Sequence, residues 1–389
     1  MAIPPRYLLA SYIVAFLGPE AYSKLIQFLR RAFMITISLC MIVKNEESVL
    51  ARCLRCAAQI ADEIIIVDTG STDTTKQTAR EFTPHIYDFP WQDDFSAARN
   101  FSFSKASQEY IMWLDADDII DEENTRLLQE LKETLDPSVD AVVMRYNAAF
   151  DSRGLPAFTC FRERLLRRDK GYLWQEPVHE YINIRGNIRQ YEIAVNHGKK
   201  EHPHSTCNLD IYEKRIAGGQ PLSRRATYYY ARELRTHGRS EEAIRYYRKF
   251  LNQPGICREE AVWASADLSD CLLRTGQEEA ALDALFLSFN RDLPRAEILC
   301  RIGAIYFDRQ DREKAIFWYE FALEVPRPKG WGFQSEAYWG YIPHMRLCEL
   351  YDQIHNRDEA IRHHKAAKAI QPDHPAVLYK EAYFCCKAS

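Results

Sequence analysis

At 389 residues the chain exceeds one ordinary domain and points to two or three. Its apolar fraction of 47% and charged fraction of 27% are those of a soluble globular protein, and a net charge of −4 leaves no basic footprint for a nucleic-acid polymer. Any nucleotide partner would therefore be a small ligand. The eleven cysteines are scattered and follow no secretory leader, so they read as reduced cytoplasmic thiols rather than a disulfide framework.

Residues 1–33 carry two apolar stretches, 8–17 and 25–33. The first is too short to span a bilayer as a helix and has no cleavage site after it. The second, with Lys24, Arg30 and Arg31, has the pattern of an amphipathic helix at a membrane surface. That would put the protein at the inner face of the membrane. The other reading, slightly favoured, is an extension ahead of a native start at Met34, where the first strand begins.

From there the pattern alternates. ITISLCMIV (35–43) is a near-continuous apolar run, as expected of a buried parallel strand. A helical pattern opens at Asn45-Glu46-Glu47-Ser48, and its Cys53-x-x-Cys56 reads as helix-packing thiols ahead of a zinc or redox pair. A second buried strand, 63–67, ends at Asp68 and gives way to TGSTD, a glycine turn with helix-capping residues. A short strand near 85–88, a helix over 97–106 and the strand 110–114 follow. Such alternation predicts a doubly wound, mostly parallel sheet. Strands at 141–146, 157–166 and 188–195 lack regular intervening helices and predict an antiparallel extension covering one end of that sheet.

Beyond about residue 216 the chain is helical and repetitive. The segments 238–254, 276–289, 311–326 and 356–372 share a small-residue and aromatic pattern, with Ala243, Ala281, Ala315 and Ala360 at spacings of 38, 34 and 45. This resembles the tetratricopeptide repeat, a helix pair of about 34 residues. The domains expected are 34–215, the α/β sheet, and 216–389, the helical repeats.

Ligands of an open α/β sheet bind beyond the carboxyl ends of the strands. Three polar clusters sit at those ends: Lys44-Asn45-Glu46, Asp68 to Asp73, and Asp115-Ala116-Asp117-Asp118. Carboxylates packed this closely repel one another unless a cation joins them. Two acids after a buried strand suit a hard divalent ion that keeps open positions for substrate phosphates. Asp118 could instead cap the helix that follows, and Asp73 fits best as a helix cap.

The segments SLCMIVKNEE, IIIVDTGSTDTT, WQDDFSAARNFSFSKASQEYIMWLDADD, WQEPVHEY and AVNHGKK together resemble the inverting family 2 glycosyltransferases of GT-A fold. With the repeats, the chain is most similar to the sublancin-type peptide S-glycosyltransferases. The resemblance implies Mn2+ or Mg2+, a UDP-sugar donor, and roles for matching positions. Val43, Lys44, Asn45 and Glu46 would border the nucleoside, and Asp68 would accept from its uracil or ribose. Arg99 would contact base or phosphate, with an ion pair to Asp93 or Asp94 as the equal alternative. Asp115 would bind ribose or metal, Asp117 the metal, and His197 would be a further ligand or a plain loop histidine. The catalytic base would be Glu180 or His179, and Trp174 would stack on a sugar or pack in the core. The acceptor would be a peptide Cys, Ser or Thr presented by the repeats, or a lipid-linked or lipopolysaccharide-core glycan. A repeat scaffold that binds a nucleotide sugar without transferring it is the reading from another class.

Overall fold

The computed structural model describes residues 34–151, 153–198, 205–327, 332 and 334–386. The segment 1–33, on which the membrane-surface and extension readings fall, lies outside the described residues.

The first half is built on strands β1 (Ile37–Val43), β2 (Glu63–Asp68), β3 (Ile86–Asp88), β4 (Tyr110–Trp113), β5 (Asp118–Ile119), β6 (Ala141–Phe150), β7 (Pro156–Arg167) and β10 (Ile188–His197), hydrogen-bonded in the order β3-β2-β1-β4-β7-β6-β10-β5. A two-stranded ribbon, β8 (Trp174–Gln175) and β9 (Tyr181–Ile182), stands apart from them. Pairing is parallel from β3 to β4, as the continuous apolar runs predict. Both faces are covered. On one, Leu39 and Met41 meet Leu50 and Leu54 of α1 (Leu50–Ala57) and Leu128 and Leu131 of α2 (Glu122–Thr134). On the other, Cys40, Ile65 and Trp113 meet Phe103 of α3 (Phe95–Ser104).

The strands after residue 136 differ from expectation in placement. They lie in the plane of the sheet and widen it instead of covering its end: β7 runs antiparallel to β4 and β6, and β10 runs parallel to β6. The reason is two-sided burial, since Val142 and Met144 join one core and Ala141 and Leu166 the other.

The second half is a row of packed helices: α4 (Cys207–Ala217), α5 (Arg224–Thr236), α6 (Ser240–Leu251), α7 (Arg258–Arg274), α8 (Glu278–Leu287), α9 (Ala296–Asp308), α10 (Arg312–Glu324), α11 (Tyr341–Gln353), α12 (Arg357–Ile370) and α13 (Pro375–Cys386). Ala243, Ala281, Ala315 and Ala360 are all fully buried, each on the second helix of a pair. A larger side chain there would push the neighbouring helix away. Leu209, Ile211 and Tyr212 of α4 pack in the helical core. Val178 of the first half is buried in that same core, with Trp91 and Phe95 packed against it.

Candidate active site

At the carboxyl end of the sheet, β1 and β2 are tied to each other. Asp68 is 1% exposed, and its Oδ1 accepts the backbone N–H groups of Gly70 and Ser71, both at 2.9 Å. Gly70 turns the chain at φ 109°, a conformation that favours glycine. Asp68 Oδ2 is buried without a partner, an acceptor left over from the turn. The N–H of Asn45 donates to Ser71 Oγ (2.9 Å), and Asn45 Oδ1 accepts from the N–H of Thr72 (2.8 Å). The Glu46 N–H donates to Thr75 Oγ1 (2.7 Å), and the Val43 carbonyl accepts from the Thr69 N–H (3.0 Å). Asp73 accepts the N–H and hydroxyl of Thr75 and the N–H of Glu47; it stands one residue ahead of Thr74, the N-cap of the helix Thr75–Arg80, and so is not the cap expected of it. The Val43–Glu46 rim is thus a braced loop beside the free oxygen of Asp68.

Arg99, on α3, reaches neither Asp93 nor Asp94. Asp93 pairs with Lys214 (2.7 Å), and Asp94 caps α3 by accepting from the Ala97 N–H (3.0 Å). Arg99 instead forks between Asp115 (Nη2 to Oδ1, 2.8 Å) and Glu180 (Nε to Oε1, 2.7 Å), over the rings of Trp174 (4.7 Å) and Trp113 (5.1 Å). Loss of hydration alone would raise the Asp115 carboxyl, but the Arg99 and Arg164 charges outweigh it and hold it well below the usual range. Trp174 is a core residue, buried edge-on against Trp113 with ring centres 4.8 Å apart, so the sugar-stacking alternative is set aside.

Asp118 does not cap α2; Asp121 does, accepting from the Asn124 N–H at 2.8 Å. Asp118 is fully buried, ion-paired to the equally buried Arg164 at 2.9 Å, and accepts from the Asp115 N–H at 3.0 Å. Burial pushes its carboxyl up to about 6 against the pull of Arg164. The register of β10 against β5 sets His197 opposite Asp118. His197 Nδ1 is 3.5 Å from Asp117 Oδ2 and 3.1 Å from the Tyr146 hydroxyl. One ligand atom from each of Asp117, Asp118 and His197 lies within 4.8 Å of the others. Asp115, expected beside Asp117 and His197, is not one of the three; its Oδ1 accepts from Arg99, and the acid in that place is Asp118. Two carboxylates and an imidazole suit Mg2+ or, more closely, Mn2+. The buried, unpartnered Asp118 Oδ1 fits a cation as well.

Of the two bases expected, only Glu180 meets the strand-end cluster, through Arg99. The His179 ring turns to the helical half, where Nε2 bonds Glu233 (2.6 Å) and the ring stacks on Tyr229 at 4.3 Å. The strand-end loops also hold non-glycine residues in the left-handed region, among them Asn45 (φ 56°), Asp93 (φ 55°), Glu176 (φ 71°) and His179 (φ 52°). Strain of this kind clusters at binding sites. Arg164 and Glu233 were not singled out from the sequence, and Asp118 was weighed as a helix cap rather than as the acid beside His197. The signal for Arg164 was present, because an arginine inside the run RERLLR of a buried strand requires a partner acid.

Residues 38–189 match the family model described as Glycosyl transferase family 2. This segment is a family 2 glycosyltransferase domain. Among similar proteins, a TPR repeat-containing protein of Synechococcus elongatus is 35% identical over 166 residues, 39% of this chain and 36% of its own length. The SPbeta prophage-derived glycosyltransferase SunS of Bacillus subtilis is 28% identical over 230 residues, 56% of this chain and 53% of its own. The lipopolysaccharide core biosynthesis glycosyltransferase LpsC of Rhizobium meliloti is 31% identical over 163 residues, 40% of this chain and 59% of its own. The chain spans less than two thirds of each of these relatives. The SunS match is longer than the glycosyltransferase domain itself and so extends outside it. The helices after the domain form a tetratricopeptide-type array, as their buried alanines indicate.

Proposed function

We propose that the protein transfers a hexose from a UDP-sugar to an acceptor, with inversion and with a divalent cation. The observation that carries this is convergence. Within a family 2 domain, the spare oxygen of Asp68, the Arg99-held pair Asp115 and Glu180, and the Asp117–Asp118–His197 trio all meet at one sheet edge. Asp68 and the Val43–Glu46 rim would receive the nucleoside. Asp117, Asp118 and His197 would hold Mn2+ or Mg2+, which as a Lewis acid neutralises charge on a departing diphosphate. Inversion needs one displacement: the acceptor atom bonds to the anomeric carbon, the bond to the diphosphate oxygen breaks, and a base takes the acceptor's proton. Glu180 is the base in this reading. Arg99 fixes its Oε1, leaving Oε2 to take the proton.

The acceptor we favour is a peptide Cys, Ser or Thr. A cavity of about 370 Å3 between β7 and the helices is lined by Phe158, Tyr229, Arg232, Trp263 and Tyr338. Tyr229 also stacks on His179, the neighbour of Glu180. An extended peptide entering there would pass close to the base, and a thiol would ask less of that base than a hydroxyl. The likeness to LpsC favours a second acceptor class, a lipopolysaccharide-core sugar. Among the described residues no helix is long and apolar enough to cross a membrane, and this reading puts donor and enzyme in the cytoplasm.

The test is intact-mass analysis after co-expression with candidate peptides and with glycan acceptors. A hexose increment on a peptide Cys, Ser or Thr supports the favoured acceptor. Modification of glycans alone rejects it.

A further inference from the structure

Three guanidinium groups surround the Trp113 indole: Arg164 at 3.9 Å from the ring centre, Arg162 at 5.0 Å and Arg99 at 5.1 Å. Two of them are neutralised in place, Arg99 by Asp115 and Glu180 and Arg164 by Asp118. Among the described residues the Arg162 guanidinium has no hydrogen-bond or ion-pair partner; it rests on the indole ring. It is half-buried, so its donors are neither fully hydrated nor bound to protein. Loss of hydration disfavours its charge, while the longer-range fields of Glu163, Asp115 and Glu180 sustain it. A guanidinium in that condition lacks the partner that partly buried charges normally have.

Its position says which partner it fits. β7 runs antiparallel to β4 with Leu165 opposite Met112. The Arg162 guanidinium lies over Trp113, the last residue of β4, and so at the carboxyl end of that strand, where ligands of such sheets bind. Arg164, on the same indole, holds Asp118 of the cation trio. An anion lying between the trio and Arg162 would be met from both sides. A planar guanidinium with parallel donors matches phosphoryl oxygens bidentately.

We propose that Arg162 holds the diphosphate of the donor, pairing with its phosphoryl oxygens from the side opposite the Asp117–Asp118–His197 trio. This rests on the nucleotide-sugar reading of the same edge. The neighbouring arginines are unsuited, because each is already committed to carboxylates. Arg162 is thus a binding residue for the leaving group and also for the product nucleotide.

Calorimetry on the full chain with Mn2+ tests this, using UDP, uridine and inorganic pyrophosphate as probes of the wild type, Arg162→Gln and Arg162→Lys. Arg162→Gln is expected to weaken UDP and pyrophosphate about 10- to 100-fold, the span of one or two charged hydrogen bonds, and to leave uridine unchanged. Arg162→Lys, which keeps the charge but loses the fork, should fall between. Unchanged UDP and pyrophosphate affinity in Arg162→Gln overturns the assignment while leaving the nucleotide-sugar reading intact. Equal weakening of uridine and UDP also overturns it, since that marks a structural role on Trp113. A wild type that binds neither UDP nor pyrophosphate overturns both.

Discussion

Arg164→Met removes the cation from a carboxylate that has no access to water. Asp118 and Arg164 are 0% and 1% exposed at the side chain, and Asp118 Oδ1 already lacks a partner. Asp118 then has two courses. Staying ionised leaves a buried, unpaired charge, which costs ~3–5 kcal/mol. Taking up a proton at pH 7.5 costs about 5 kcal/mol against an ordinary value of 3.8, but about 3 kcal/mol of that is already present in the wild type, whose carboxyl sits at about 6, so the change is about 2 kcal/mol at ~1.36 kcal/mol per pH unit. That change falls with pH and is close to zero at pH 5, where the wild-type carboxyl is already mostly protonated. The sign follows: with its carboxyl raised, Asp118 contributes stability that is full below pH 3.8 and is lost as pH rises through about 6, and losing Arg164 deepens that loss at neutral pH. The cheaper course sets the loss, so for the sheet domain, at roughly 2–4 °C per kcal/mol, the unfolding midpoint should drop roughly 4–8 °C at pH 7.5. The drop should be much smaller at pH 5. The double variant Arg164→Met/Asp118→Leu, which buries no charge, should recover most of the loss. Thermal unfolding followed by near-ultraviolet circular dichroism reads all three. A drop under about 3 °C at pH 7.5, or one that persists undiminished at pH 5, would refute the reasoning.

Two further outcomes are expected. Gly198→Ala would bring a methyl group against the Asp117 carbonyl at 2.5 Å and Ile119 at 2.7 Å. It should weaken Mn2+ binding about tenfold or more by displacing the trio, and calorimetry with unchanged metal affinity would show that the loop yields freely. Glu233 lies at the interface between the halves; burial raises its carboxyl, but the His179 bond and charge outweigh this and hold it below 4.5. Its contribution is therefore present above pH 4.5 and lost as pH falls through the lowered value. Glu233→Gln should lower the unfolding midpoint at pH 7, with the gap to wild type closing in acid; a gap independent of pH rules out the charged contact.

The fold was legible where local pattern and tertiary demand agree. Apolar runs at β1, β2 and β4 marked buried parallel strands, and the alanine spacing marked helix pairs whose close approach the four buried alanines now account for. The widening strands were visible as strands, but their plane was not, because it depends on which residues of β6 and β7 face each core. The site was legible as a set of acids at strand ends and not as a division of labour among them. Asp115 and Asp118 stand three residues apart in one acidic run. They differ because Arg99 and Arg164, from remote elements, claim one each. Likewise Glu180 and His179 are adjacent, yet the chain turns at His179 (φ 52°) and sends their side chains to opposite neighbours, Arg99 and Glu233. Pairings of this kind arise from the sheet order, which no local stretch of sequence encodes.

Metal-dependent turnover of a nucleotide sugar at the Asp117 edge is the activity proposed for this protein. The most direct measurement is release of UDP from a panel of UDP-hexoses by the full chain with Mn2+, beside EDTA-treated protein and Asp117→Ala. Release with at least one donor is expected in the wild type, and its loss with chelator and in the variant. Tight UDP binding without turnover of any donor would contradict that activity in favour of a non-catalytic scaffold, and undiminished metal-dependent release by Asp117→Ala would contradict the site.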